Sequence, residues 1–250
     1  MKTVLITGAS SGFGLETAKY FLERGWKVIA TMRTPNKDVL PTHDNLRILA
    51  LDVTSEDSIR KVITEAGPID ALVNNAGIGS LNAVEGASMK LIRDIFETNT
   101  LGTIAMAQAV IPQFRARRAG VIVNVTSTVT VKALPLLAVY TASKAAVNAF
   151  SKSLALDLKE FGVRVAVVLP GRSPTTKFGE NAQAGQRMVI PEPYQPLFAN
   201  VLKGWQESNE PVTHATDVAT AIFKTVTEPS TPMMLPAGKD AEIWVEEYGV

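Results

Sequence analysis

The chain has 250 residues, long enough to bury one large α/β core without being forced into two domains. Its 25 basic side chains are matched by 24 acidic ones, so no field of one sign exists to gather nucleic acid or an anionic membrane, and a small-molecule partner is expected. With no cysteine and only two histidines, His43 and His214, it has neither a disulfide framework nor a thiolate metal site, and no metal is expected.

The first predicted strand covers residues 3–7, and its apolar run is too short for a signal segment. Nowhere is an apolar run long enough to span a membrane, so a cytoplasmic location is expected. The strand leads into Gly8-Ala9-Ser10-Ser11-Gly12-Phe13-Gly14, followed by a helix over 14–24 with Leu15, Ala18, Phe21 and Leu22 at helical spacing and Gly25 as its stop. A glycine-rich turn that opens a helix offers backbone N–H groups to a pyrophosphate, which makes Gly8, Ser10, Ser11, Gly12, Phe13 and Gly14 cofactor-binding candidates. The Gly8-x-x-x-Gly12-x-Gly14 spacing differs from Gly-x-Gly-x-x-Gly, so the mechanism carries over but the fingerprint does not.

A second strand over 27–31 is followed by Arg33, nineteen residues past Gly14. An acid near this position would hydrogen-bond a ribose 2′-OH, whereas arginine accommodates a 2′-phosphate. No acid occurs from Ile29 to Lys37, and the guanidinium can fork onto phosphate oxygens, so NADP(H) is expected over NAD(H).

Further strands are expected over 47–51, 71–74, 120–125 and 163–169, the last being Val-Arg-Val-Ala-Val-Val-Leu. Apolar runs without strict alternation suit strands covered on both faces, and their rhythm with helical segments indicates βαβ units. A long helix over 140–161 ends at Gly162. Within it Tyr140 and Lys144 lie one turn apart, on one face, where the ammonium can stabilise a phenolate and lower the tyrosine pKa. Alone the pair is weak: four tyrosines and fourteen lysines give a chance Tyr-x-x-x-Lys at about 0.2 per chain. Ser127, thirteen positions before Tyr140 and just past a strand, cuts that chance roughly twentyfold. After Pro170-Gly171 the character changes, and residues 172–212 read as an inserted lid with scattered large apolar side chains, including Phe178, Met188, Tyr194, Phe198 and Trp205.

In order and spacing these residues resemble the short-chain dehydrogenase/reductase family along nearly the whole chain. The motifs are Thr7-Gly8-x-x-x-Gly12-x-Gly14, Asp52-Val53, Asn74-Asn75-Ala76-Gly77, Asn99, Ser127, Tyr140-x-x-x-Lys144 and Pro170-Gly171. The resemblance implies a single-domain, doubly wound Rossmann-type fold with a seven-stranded, mostly parallel sheet and helices on both faces. It implies that Asp52 and Val53 contact the adenine, and that Asn75, Ala76 and Gly77 line the cofactor and steady the sheet. Pro170, Gly171 and a following threonine, Thr175 in preference to Thr176, would meet the nicotinamide. It also implies a catalytic tetrad. Tyr140 would be the general acid and base, Ser127 would hold the substrate oxygen, Lys144 would hold the ribose, and Asn99 would anchor a water. Phe13 and Met32 depart from the family's usual residues without removing chemistry.

The expected activity is hydride transfer between NADP(H) and a carbonyl or secondary alcohol, most readily reduction of a mid-sized hydrophobic ketone or aldehyde. The alternative is a catalytically silent NADP(H)-binding sensor, which would be expected to lose Tyr140 or Lys144. An epimerase or dehydratase of the longer relatives would need more chain after Lys144 than is present. Apolar residues on more than one face of 91–114 and 141–158 point to a homodimer or homotetramer.

Overall fold

A computed structural model describes residues 1–174, 176 and 188–249. In chain order the elements are β1 (Thr3–Ile6), α1 (Gly12–Glu23), β2 (Lys27–Met32), β3 (Leu46–Ala50), α2 (Glu56–Ala66), β4 (Ala71–Asn74), β5 (Leu81–Asn82) and α3 (Met89–Phe96). A π-helical turn, Glu97–Leu101, leads directly into α4 (Gly102–Arg117). There follow β6 (Gly120–Val125), α5 (Ala138–Lys159), β7 (Val163–Pro170), β8 (Met188–Val189), α6 (Gln195–Glu207), α7 (Ala215–Thr227), β9 (Met234–Ala237) and α8 (Lys239–Tyr248).

Seven strands form one sheet in the order β3-β2-β1-β4-β6-β7-β9, and every pairing in it is parallel. The period of two along each strand sends alternate side chains into two separate cores. Val4, Ile6, Ala71, Val73, Val123 and Val125 join Ala18, Phe21 and Leu22 of α1 and Val218 and Ile222 of α7 on one face. Leu5, Leu72 and Ile122 join Ile59 and Val62 of α2, Met106, Val110 and Phe114 of α4 and Leu158 of α5 on the other. This double covering is why the strands read as continuous apolar runs.

Boundaries shift by one or two residues from the sequence expectation. The third strand is Leu46–Ala50 rather than 47–51, the first helix begins at Gly12, and the long helix runs Ala138–Lys159 rather than 140–161. Asn99, expected in a helix, lies in the π-helical turn. The seventh strand, Met234–Ala237, has no clear sequence signal because it is four residues long and contains Pro236. As the sheet edge, it occupies the place where a proline is tolerated.

A separate parallel pair, β5 with β8, connects the chain after β4 to the segment 172–212. It is accompanied by an apolar cluster of Leu81, Ala83, Leu136, Leu137, Met188, Ile190, Tyr194, Phe198 and Trp205. Among the described residues no helix is long and apolar enough to cross a membrane, and no group of acidic and histidine side chains is arranged to hold a metal ion.

Candidate active site

The chain order of the strands reverses between β1 and β4, and a crevice opens beyond the carboxyl ends of the sheet at such a point. The glycine loop follows β1, Arg33 follows β2, Asp52 follows β3, Asn75 to Gly77 follow β4, Ser127 follows β6 and Gly171 follows β7. The parallel sheet therefore presents all of them on one rim.

At the glycine loop, Ser11 is the N-cap of α1 but makes no side-chain capping bond, and the first turn of the helix contains no acid. The positive end of the helix and its unsatisfied N–H groups thus remain available to an anion. Ser10 is exposed, and Ser11, Gly12 and Phe13 are half-buried. The loop is fixed from two sides. Ala9 N donates to Thr31 O at 2.9 Å, and Asn75 Nδ2 donates to Thr7 O and Gly8 O at 2.9 and 3.0 Å. Thr7 Oγ1 in turn accepts from Asn75 N and Ala76 N, both at 3.0 Å. Asn75 and Ala76 therefore act first as a staple between the turn after β1 and the turn after β4. Thr7, at the head of the glycine motif, completes it through its hydroxyl.

Gly14 is where this staple tolerates no side chain, because a β-carbon there would overlap Asn75 Nδ2 and the Gly8 carbonyl. Gly14→Ala is expected to lower stability by about 1–3 kcal/mol and to push the loop out of its binding shape. Thermal unfolding together with an NADPH titration checks this, and a variant with wild-type affinity would show that the close approach is dispensable.

Arg33 is exposed and makes no hydrogen bond or ion pair among the described residues, leaving its guanidinium available. Asp52 turns its carboxylate back on the chain, accepting from Thr54 N at 3.0 Å and Thr54 Oγ1 at 2.8 Å. Val53 is buried, and its side chain fills the space beside Gly102 at the start of α4.

The catalytic candidates converge across the crevice. Tyr140, Lys144 and Asn99 are buried, Ser127 nearly so. Tyr140 and Ser127 are joined by a side-chain hydrogen bond. Lys144 Nζ donates to Val125 O at 3.0 Å, and a β-carbon at Gly77 would stand 3.3 Å from both Lys144 Nζ and Asn99 Oδ1, which marks Gly77 as the floor where the two side chains meet. Asn99 is tied on every side. Its Oδ1 accepts from Ile78 N at 2.8 Å, its Nδ2 donates to Ile78 O and Ser143 Oγ at 3.0 and 3.1 Å, and its backbone oxygen accepts from Thr103 Oγ1 at 2.9 Å. Ser143, unnoticed in the sequence, donates onward to Tyr140 O at 2.7 Å. Ser127 is held through its backbone: its oxygen accepts from Thr130 Oγ1 at 2.8 Å, and that hydroxyl accepts from Asn148 Nδ2 at 2.9 Å.

Burial corrects one electrostatic expectation. The Tyr140 phenol is raised well above its ordinary 10.0 by desolvation, an effect that the Ser127 hydrogen bond only partly offsets. Burial also pushes the Lys144 ammonium down from 10.5 to about 8. Lys144 does not pull Tyr140 below its usual range, because loss of water penalises the charged form of both groups. Near neutral pH the resident pair is a phenol beside an ammonium, which is the protonation state of a proton donor.

Pro170 lies close to this group, since Thr128 Oγ1 donates to Pro170 O at 3.2 Å. Of the two candidate threonines, Thr175 lies outside the described residues. Thr176 donates from Oγ1 to Ser173 O at 2.9 Å, and its side chain is 3.7 Å from where a β-carbon of Gly12 would be. The first residues of the segment after β7 therefore bend back over the glycine loop. Phe178 also lies outside the described residues.

The family model described as short chain dehydrogenase matches residues 2–186. A 3-ketodihydrosphingosine reductase of Bacteroides thetaiotaomicron is 35% identical over 239 residues, covering 94% of this chain and 87% of its own length. Among solved structures, a short-chain dehydrogenase from Streptomyces avermitilis superposes with a TM-score of 0.84 at 31% identity, over 98% of this chain and 91% of that one. The closed form of a serine dehydrogenase complexed with NADP+ gives a TM-score of 0.81 at 31% identity, covering 94% of each chain.

Proposed function

The chain belongs to the short-chain dehydrogenase family, and from that premise we propose that it is an NADP(H)-dependent oxidoreductase that reduces a mid-sized hydrophobic ketone or aldehyde. The observation that carries the reading is the meeting of Tyr140, Ser127 and Lys144 on the same rim as the uncapped N-terminus of α1.

The residues fit a dinucleotide. The α1 N-terminus would hold the pyrophosphate, Arg33 the 2′-phosphate, Asp52 and Val53 the adenine side, and Lys144 with Gly77 the nicotinamide ribose. The bound cofactor supplies a hydride. The rest of the chemistry belongs to the chain. Ser127 Oγ hydrogen-bonds the substrate oxygen as negative charge develops there, and Tyr140 donates its phenolic proton to that oxygen. The Lys144 ammonium then stabilises the phenolate that Tyr140 becomes. Asn99, held on both sides of its amide, keeps Ile78 and Ser143 in place around the pair, and in this reading also anchors the water that re-protonates it.

A phenol that burial keeps protonated favours reduction over oxidation near neutral pH. The substrate class draws support from the apolar cluster around Leu136, Met188, Tyr194 and Phe198, with residues 172–212 proposed as its lid, and from a relative that is a keto reductase by name. A silent sensor would not need the four side chains gathered. Leu101 and Leu156, exposed on the π turn and on α5, support a homodimer or homotetramer.

The test is steady-state turnover of a carbonyl panel with NADPH and NADH. NADPH should be preferred, and Arg33→Asp should shift the ratio of kcat/KM values toward NADH by at least about tenfold, the loss of a charge-assisted fork. Equal efficiency with both cofactors, or no shift in the variant, would remove Arg33 as the selector.

A further inference from the structure

Asp240, the second residue of α8, is a buried carboxylate far in sequence from every motif of the site. Burying such a charge is costly without partners, and here both oxygens are engaged. Oδ2 accepts from Arg172 N at 2.6 Å and Oδ1 from Thr213 Oγ1 at 2.7 Å. The same Thr213 hydroxyl accepts from Gly171 N at 2.9 Å and lies 2.9 Å from Ala237 O, while Thr213 N donates to Arg172 O at 2.8 Å. Gly171 is required for this seat, because a β-carbon there would overlap the carboxylate. Residues 172 and 213 are the two roots of the segment 172–212, so one side chain ties both of them to the C-terminal helix.

The junction stands at one end of the crevice. A dinucleotide with its 2′-phosphate at Arg33 beyond β2 and its phosphates at α1 beyond β1 would run across β4 toward Ser127 beyond β6. The next strand is β7, ending in Pro170-Gly171, so Gly171 and Arg172 would meet its reacting end. From there Arg172 Nη1 reaches Trp205 O in α6 at 2.9 Å.

We infer that Asp240 is a positioning residue for hydride transfer: through Arg172 and Thr213 it sets where the roots of the 172–212 segment stand against the nicotinamide end of the cofactor. This rests on the reading of the site as a nicotinamide cofactor site.

The experiment compares the full-length protein with its Asp240→Ala, Asp240→Asn and Thr213→Val variants. For each, the affinities for NADPH and for adenosine 2′,5′-bisphosphate, which lacks the nicotinamide half, are measured alongside Tm. Asp240→Ala should weaken NADPH about tenfold while the fragment changes less than about twofold, the size expected when buried donors lose their acceptor. With a carbonyl substrate, KM should rise more than kcat falls. Asparagine should restore the affinity: its oxygen still accepts from Arg172 N, and its Nδ2 donates to Thr213 Oγ1, whose own proton then goes to Ala237 O. Thr213→Val should reproduce the alanine pattern, and it decides the matter if Asp240→Ala does not fold. Equal weakening of NADPH and fragment, no weakening of either, or an asparagine variant no better than alanine would overturn the inference, whatever happens to Tm. If no carbonyl is turned over but the binding pattern appears, the proposed activity fails and the positioning role stands. Turnover without the binding pattern gives the reverse.

Discussion

Replacement of Tyr140 by phenylalanine should lower kcat for carbonyl reduction by about 10³-fold, within the range for a lost general acid. The ring keeps its buried place on α5 and only the phenolic oxygen is removed. That oxygen is the proton source nearest the point where Ser127 would hold the substrate, and the two are already hydrogen-bonded. Ser127 retains a second tether through Oγ, which accepts from Val129 N at 3.3 Å, so the serine is not set adrift. NADPH affinity should stay within about threefold of wild type, because the loss falls on a transition-state interaction rather than on cofactor binding. Stopped-flow or steady-state reduction with the best panel substrate measures the first quantity and fluorescence titration the second. A variant that keeps a tenth of wild-type kcat would remove Tyr140 from the proton transfer.

Lys144→Met is expected to have an effect of similar size on turnover, about 10²- to 10³-fold, and unlike the tyrosine change it should also weaken NADPH. Its effect on the free protein is opposite in sign. The buried ammonium titrates at about 8 in the folded chain and at 10.5 when unperturbed, so its burial is destabilising. The size of that effect is on the order of 3 kcal/mol at neutral pH. Below pH 8 both folded and unfolded chains hold the proton, and the cost is fully present. Between about 8 and 10.5 the unfolded chain binds the proton more tightly than the folded one, so stability rises with pH and the cost fades. Methionine, unbranched, uncharged and one atom shorter, should therefore stabilise the cofactor-free protein near pH 7 and lose that advantage toward pH 10.5, as read from urea midpoints across that range. In wild type, kcat/KM should fall as pH passes about 8, where Lys144 loses its charge. A kcat/KM that stays level to pH 9.5 would show that this ionisation does not govern catalysis.

Much of the site is legible in the sequence because each element there uses a local code. A strand, a glycine turn and a helix in succession announce an anion site, and positions 140 and 144 share a face by helical geometry alone. Arg33 is singled out as a candidate by the absence of any acid around it. What the sequence hides is long-range. Asp240 and Thr213 are neighbours only because β7 and β9 pair, and β9 is masked by its proline and its four-residue length. Ser143 and Thr7 take part through hydroxyls aimed at other segments, which no periodicity encodes. The direction of the Tyr140 shift is hidden for a related reason: spacing along a helix reveals a charged neighbour but not the depth of burial, and here burial is the larger influence.

The wide turn at Glu97–Leu101 fixes something other than a contact. It fits more residues into one turn than the helices on either side, so α4 keeps its rotational phase relative to α3 while the residues inside the turn are offset from regular winding. Met106, Val110 and Phe114 would still face the sheet if one residue were removed and the turn relaxed to α-helix, but Asn99 would lose the offset that sets its amide between Ile78 and Ser143. A one-residue deletion here is therefore expected to spare the core and disable the crevice.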